Sequence, residues 1–503
     1  MQMKRMCLSI KAVVLAVGMS SLATVPISGQ RVLTLDSCRS LAVQNNRTLA
    51  QSRLKKEMAT HTKKAAGTNY LPKISLTAGY VLSGKEISIL SDDQKNALRN
   101  GGTIVSNSLA EKMQEVVTRF PDLARLLPAF SEPLQQAAAG LNQLGSGVAD
   151  AFRTDTRNMA MGALLLKQPL YMGGKIRAYD KITRYSENLA DLQISADEQE
   201  TILEVDQAYW QVVSLAHRKR LADKYLATLQ KLDADVQKLV GEGFATRSDE
   251  LQVAVRLNEA EMLQTKVDDG LVLSRMLLCQ LCGLPLDSEF SLKEEAQDDI
   301  ASSIPAAEPD GVEKAYAHRP EIAMLETANN IYGEKVKLVR SDFLPHLSLV
   351  GGYAMTYPSV YNSFEKKFRG DWHVGLLLQV PIWNWGEGRH KVRAAEAEAR
   401  MNQERLYEAR EKIELQVTQS RFRLTEAQRK LALAQKSLSK ADENVRIATL
   451  GYQEGVIPLS DVLLAETGWL EANSNKIDAE IDILLARSLW NKSLGTLTIN
   501  ENN

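Results

Sequence analysis

Residues 169–175 read PLYMGGK and residues 381–387 read PIWNWGE, and the chain after each of these turns runs in step with the other, shifted by 212 positions without a gap. The correspondence puts Pro169 on Pro381, Tyr171 on Trp383 and Gly174 on Gly386. It continues to GEGFATRSD at 241–249 and QEGVIPLSD at 453–461, where Gly243 meets Gly455, Ser248 meets Ser460 and Asp249 meets Asp461. Between these turns, residues 175–240 and 389–450 contain neither Gly nor Pro, the usual helix breakers, so each reads as a single helix. At 1.5 Å per residue such helices are about 90–100 Å long. After the second turn each copy returns as another helix, which makes the unit a duplicated helical hairpin.

What the long helices pack against is also written in their pattern. Leu424, Ala427, Leu431, Ala434, Leu438, Ala441, Val445 and Ala448 recur at spacings of three and four, a heptad seam in which alternate alanines let two backbones approach closely. An ordinary bundle core would show a similar stripe, but seldom over a helix this long without a cap or a break.

Repetition extends upstream with a second shift of 273. Ala42 falls on Ala315, Leu49 on Ile322, Leu71-Pro72 on Leu344-Pro345, and Gly79-Tyr80 on Gly352-Tyr353. Four segments at 74–83, 159–168, 347–356 and 372–380 are short, rich in Leu, Val, Gly and aromatics, and bounded by turn residues, and they read as strands. Roughly ten residues suits a strand crossing a bilayer, whereas the chain after residue 29 has no apolar run of the length a membrane helix needs. A small soluble sheet is the plainer alternative. Four strands cannot close a barrel, and lipid does not tolerate an open sheet edge, so the membrane reading requires several chains to share one barrel.

The two shifts differ by 61, which locates an insertion between the first two strands, at 85–157. It carries Gly84, Gly101 and Gly102 near its start, a helical middle with Pro121, Pro128 and Pro133, and Gly140, Gly145 and Gly147 as a second loose patch. Residues 33–67 read as one helix with Asp36 or Ser37 as N-cap and Gly67 as its stop. Residues 284–312, with Pro285, Pro305, Pro309 and the acidic runs KEEAQDD and AAEPD, read as a linker between repeats spanning 30–283 and 313–495, and 496–503 as a frayed tail.

Residues 1–29 read as a secretory signal, with Lys4, Arg5 and Lys11 flanking AVVLAVGMSSLATV and small residues at Ser28 and Gly29. Removing those three charges leaves 58 Lys+Arg against 62 Asp+Glu, a net charge near −4 that gives no reason to expect nucleic acid. Three cysteines then remain. Cys279 and Cys282 form a CxxC in the helical LLCQLCG, yet with no second pair or nearby His to complete a zinc site they read, with Cys38, as small buried apolar residues. The six histidines lack metal-ligand spacing, and Gly173-Gly174-Lys175 is followed by Ile176, without the Ser or Thr of a phosphate loop. Neither an enzyme nor a bound cofactor is indicated.

The order and duplication of these motifs resemble the TolC family of outer-membrane efflux proteins over nearly all of the chain after the leader. The resemblance rests on LTLDSCRSLAVQNN at 33–46, LPKISLTAGY with its copy LPHLSLVGGY, the two turns that leave the strands, and the two helical turns. It implies a mainly α fold with a small β-barrel: a homotrimer supplying a twelve-stranded outer-membrane barrel and a helical tunnel in the periplasm. It also implies a membrane-fusion adaptor docked on the helix tips, here Gly243, Ser248, Gly455 and Ser460, and an inner-membrane transporter that supplies energy. Asp249, Tyr452 and Asp461 stand where the family places residues that close the tunnel, although helix capping would explain both aspartates equally. Ile457 replaces an Arg that locks neighbouring helices in other members, and Leu464 stands where a second acidic ring would be. A periplasmic coiled-coil adaptor or structural spacer is the competing reading; carbonate would extract a spacer from membranes, whereas a barrel needs detergent.

Overall fold

A computed structural model describes residues 31–84, 89–121, 127–152, 156–297, 300, 311–360 and 365–500. The leader expected at 1–29 and residues 298–299 and 301–310 of the linker lie outside these. In chain order the elements are β1 (Arg31–Leu33), α1 (Leu35–Asn45), α2 (Arg47–Gly67), β2 (Lys73–Leu82), α3 (Asp92–Arg99), α4 (Gly101–Arg119), α5 (Leu127–Ala151), β3 (Asn158–Met172), α6 (Lys175–Gly241), α7 (Arg247–Cys282), β4 (Phe290–Leu292), α8 (Gly311–His318), α9 (Pro320–Ser341), β5 (His346–Tyr357), β6 (Arg369–Gln379), α10 (Glu387–Gln453) and α11 (Leu459–Ser493). The helices α6 and α10 are each 67 residues long and begin and end 212 positions apart, so the duplication read from the turns holds at both helix ends.

The chain divides into two compact units. One comprises residues 1–62, 182–333 and 396–503, and the other 63–181 and 334–395. The first is a helical body whose core follows the long helices. Val205, Tyr209, Val212 and Val213 of α6 pack with Cys38 and Ala42 of α1, Leu278 and Cys282 of α7, and Ile477 and Ile481 of α11. Leu406, Ile413, Val417, Leu424, Ala427 and Leu431 of α10 pack on Ile483, Ala486 and Trp490 of α11. The heptad seam is thus a packing seam: Leu424, Ala427, Leu431 and Ala448 are buried, and its other members are half-buried. Truncating a buried leucine such as Leu424 to Ala would cost about 2–5 kcal/mol.

A buried ion pair joins four segments of this unit. The Arg39 guanidinium donates from Nε and Nη2 to the two oxygens of Asp206 at 2.6 and 2.7 Å, and both side chains are fully buried. Ser488 donates to the same carboxylate at 2.6 Å, and Arg39 Nη1 reaches the carbonyls of Thr498 and Ile499 at 3.5 and 3.4 Å. Residues 496–500 of the tail are therefore held, with Leu497 buried beside Leu49 and Ile202, and are not the frayed end their composition suggested; residues 501–503 lie outside the described residues.

Two further expectations need correcting. Residues 33–67 form two helices broken at Asn46, whose side chain caps the second by accepting from Thr48 N–H at 2.7 Å, and the first is capped by Thr34, with Ser37 closing the capping box from its third position. In the insertion, Gly140, Gly145 and Gly147 lie inside α5 and are no loose patch. A Cβ on Gly145 would meet the Leu98 carbonyl oxygen at 1.9 Å, and one on Gly102 that of Ala138 at 2.1 Å, so these glycines permit close helix packing.

Within 284–312, β4 pairs in parallel with β1, Arg31 opposite Phe290 and Leu33 opposite Leu292. The following turn lends Glu294 to the Tyr209 hydroxyl and Glu295 to Arg275. Cys38, Cys279 and Cys282 are free thiols in this core, and the hydrogen bond with the neighbouring Cys282 thiol, followed by burial, pushes Cys38 up.

Candidate functional site

Two parts of the fold present features that a packed soluble domain would hide. The first is the four-stranded antiparallel sheet of the second unit, in the order β2-β3-β5-β6. Its residues alternate between two faces. One face carries a row of large apolar side chains straight across all four strands: Leu76 lies opposite Leu164, Leu164 opposite Tyr353, and Tyr353 opposite Trp372. Ile74, Tyr80 and Leu82 of β2 and Val374, Leu376 and Leu378 of β6 extend it. All of these are exposed, Leu76 by 75% and Trp372 by 72%, so nothing among the described residues covers the face. The other face carries Lys73, Ser75 and Thr77 at one edge and Asp371, His373 and Gln379 at the other, interrupted by Val81 and Leu377 there and by Met161, Leu165 and Val350 on the inner strands. Apolar outside and polar inside is the pattern of a strand with lipid on one side and water on the other.

At the end of β6 the two repeats diverge. Gly173 and Gly174 turn the first copy from β3 into α6 with φ of 60° and 87°; in the second copy Trp385 occupies the Gly173 position with φ of 51°, followed by Gly386 at 82°. A left-handed backbone costs a non-glycine residue about 1–2 kcal/mol. Little burial is gained in return: Trp385 is 88% exposed, and it touches Trp383, edge to face, at 5.6 Å between ring centres. Exposed tryptophans beside a lipid-facing strand suit a membrane boundary.

The second part is the pair of turns at the far ends of α6 and α10. Both leave the helix through a left-handed glycine, Gly243 at φ 81° and Gly455 at 73°. Their hydrogen bonds match one for one: Gly243 N–H to Val240 O and Gly455 N–H to Tyr452 O, Phe244 N–H to Leu239 O and Val456 N–H to Gly451 O, Ala245 N–H to Leu239 O and Ile457 N–H to Gly451 O. These are helix C-caps of the kind glycine permits.

The next helix then starts differently in each copy. Thr246 and Asp249 form a full capping box. Asp249 N–H donates to Thr246 Oγ1 at 3.2 Å, while Thr246 donates from N–H and O–H to Asp249 Oδ2 at 2.9 and 2.7 Å. Those bonds hold the Asp249 carboxyl below its ordinary value. The second copy has Pro458 in place of Thr246, with no N–H and no hydroxyl to give. Asp461 is exposed, and among the described residues its carboxylate accepts only from Ser460 Oγ, at 3.4 Å.

Tyr452 is half-buried against the cluster of Ala448, Val462 and Ala465, and burial, followed by the charges of Asp249 and Asp235, pushes its phenol up. No hydrogen bond joins it to Asp249 among the described residues. Ser248 and Ser460 are exposed in the first helical turns. Ile457 folds back over its own turn, so that a Cβ on Gly451 would meet it at 2.5 Å, and Leu464 stands 72% exposed.

Phe244 and Val456, equivalent by the same shift, escaped the sequence reading. They are 82% and 79% exposed, one apolar side chain at the apex of each turn. Their signal was an apolar residue directly after the turn glycine in both copies.

Comparison with known proteins bears on both parts. The family model described as outer membrane efflux protein matches residues 125–284 and 311–496. The alkaline protease secretion protein AprF of Pseudomonas aeruginosa is 25% identical over 47% of this chain, and the match spans about half, 48%, of that relative. The outer membrane protein TolC of Vibrio cholerae is 21% identical over 61% of this chain and 70% of its own length. Among solved structures, CusC superposes with a TM-score of 0.69 at 16% identity, covering 92% of each chain. The open state of the MtrE outer membrane channel of Neisseria gonorrhoeae gives 0.68 at 15% identity, covering 93% of this chain and 91% of that one. At such identities the structural likeness speaks for the fold alone, but the family match covers more than half of the residues: the chain belongs to the outer membrane efflux protein family.

Proposed function

We propose that this protein is the outer-membrane exit duct of a tripartite efflux or type I secretion system, a homotrimer that receives substrate from an inner-membrane transporter through a periplasmic adaptor. The observation that carries the reading is the sheet, which has one uncovered apolar face, one polar face, and two edges, β2 and β6, with no partner strand among the described residues. Such a sheet is at home only in lipid, and in lipid its edges must be paired. Three copies supply twelve strands around a polar lumen. Helices of 67 residues, about 100 Å, are long enough to reach well into the periplasm.

In this reading the repeats at 30–283 and 313–495 are quasi-equivalent staves, joined through 284–312. The insertion at 85–157 faces the outside, because it connects two membrane strands at the ends opposite α6 and α10. The turns at Gly243, Ser248, Gly455 and Ser460 take the adaptor, with Phe244 and Val456 as apolar contacts between them. Asp249, Tyr452 and Asp461 form the periplasmic constriction. The two aspartates then differ in role: Asp249 is occupied as a cap, and Asp461, lacking that box, is the carboxylate available to line the lumen. The duct carries out no chemistry of its own, and what it exports is selected by the pump.

Protease treatment of intact cells tests the topology. Cleavage within 85–157, with the turns at 241–249 and 453–461 cut only after the outer membrane is breached, is the expected result. Cleavage at the turns in intact cells would reverse the orientation and remove the proposal.

A further inference from the structure

The internal duplication fixes which residues meet when two copies of the chain join. Its two shifts hold in the strand pairing itself. Inside the first hairpin Lys73 pairs with Lys167 and Leu82 with Asn158. Moving β2 by 273 and β3 by 212 turns these pairs into His346 with Gln379 and Met355 with Gly370, which are the pairs observed inside the second hairpin. The hairpins are therefore copies in hydrogen-bond register as well as in sequence.

Between the hairpins lies one more contact, β3 with β5, in which Leu164 pairs with Tyr353, Lys167 with Val350 and Gln168 with Leu349. Under the same shifts β3 becomes β6 and β5 becomes β2. These are the two outer strands of the sheet, which one chain cannot bring together.

We infer that β6 pairs antiparallel with β2 of a second copy in the register of the β3–β5 contact: Leu376 opposite the partner subunit's Tyr80, Gln379 opposite the partner subunit's Thr77, and Val380 opposite the partner subunit's Leu76. The inference rests on the proposed trimer and adds the alignment of its seams. Side-chain chemistry supports it independently of the duplication. Leu376 and the partner subunit's Tyr80 both belong to the apolar face, and Gln379 and the partner subunit's Thr77 both belong to the polar one. A slip of one residue would set lipid-facing side chains of one copy beside lumen-facing side chains of the next. A slip of two would preserve the faces, and only the duplication excludes it.

The test is a pair of cysteines on the polar face, Gln379→Cys with Thr77→Cys, oxidised with copper phenanthroline in the purified detergent-solubilised protein. Within one chain these positions sit on opposite edges of the sheet, three strand spacings or at least about 14 Å apart, beyond disulfide reach, so any bridge joins two copies. The native Cys38, Cys279 and Cys282 are buried, and each single variant supplies the background. A ladder of covalent dimer and trimer on a non-reducing gel is expected for this pair. Background levels are expected for Gln379→Cys with Ser75→Cys, which is shifted by two residues on the same face.

Efficient bridging of the Ser75→Cys pair in place of the Thr77→Cys pair would overturn the register. So would the absence of bridging in both while native mass shows three chains, a result that leaves the trimer standing. A native mass of one chain would remove the trimer together with its seams.

Discussion

The Arg39–Asp206 pair offers a quantitative check on how the helical unit is held. Replacing Asp206 with Leu removes the carboxylate and leaves a fully buried guanidinium without its bidentate partner and Ser488 without its acceptor. Removing one member of a buried pair costs about 3–5 kcal/mol. Ser488→Ala, which removes one hydrogen bond of the same cluster, should cost only about 1 kcal/mol. In a unit of this size the Asp206→Leu loss corresponds to a fall in melting temperature on the order of 5 °C. The double substitution Arg39→Met with Asp206→Leu should recover most of it, because replacing a whole buried pair by apolar residues is often neutral. Recovery will be incomplete, since Arg39 also donates to the carbonyls of Thr498 and Ile499. Thermal unfolding of the parent, the single variants Arg39→Met and Asp206→Leu, and the double variant, followed by circular dichroism in one detergent, gives the cycle, and a coupling of at least about 2 kcal/mol is expected. An Asp206→Leu protein as stable as the parent, or a double variant no better than the single one, would refute this reasoning.

Three further outcomes follow from the turns. The Asp249 carboxyl is held below its ordinary value by Thr246, so the cap stabilises the start of α7 above the unfolded carboxyl value near 3.8 and weakens as pH falls through the lower folded value. Amide exchange at 243–249, corrected for intrinsic rates, should lose protection only below about pH 4, and Thr246→Ala should shift that loss to higher pH. Bulky residues at both Gly243 and Gly455 would point into open space but hold a left-handed backbone, at about 1–2 kcal/mol each; export should fail while the trimer still assembles, and loss of the trimer would assign both glycines to folding. Asp461→Ala should reduce the cation preference of the protein in a planar bilayer, because in the proposed trimer three copies of this exposed carboxylate would make one ring around the axis; unchanged selectivity would leave Asp461 as a helix-start residue.

Much of this architecture was legible because duplication turns one chain into two aligned readings. Constant shifts placed both 67-residue helices and all four membrane strands to within a few residues, since Gly and Pro mark the ends of each. What escaped was decided by tertiary packing. Asn46 breaks a helix without being Gly or Pro, and its capping role shows only once the following turn is in place. Gly140, Gly145 and Gly147 read as loose because glycine usually marks a turn, whereas helix contacts claimed Gly145 for its missing side chain. The tail carries no signal of its own burial, which depends on Arg39 more than 450 residues earlier. β1 and β4, three residues each and nearly 260 apart, are too short for any periodicity. At the tips, Asp249 and Asp461 look equivalent in sequence, and their difference rests on the hydroxyl and N–H that Thr246 has and Pro458 lacks.

The mass of the protein extracted from outer membranes in mild detergent tests the duct most directly, because a four-stranded sheet with two open edges cannot persist in lipid as a single copy. Native mass spectrometry should return three chains per particle, with no stable population of one. A monomer that stays folded and membrane-extracted under the same conditions would contradict the shared barrel, and the exit-duct function with it.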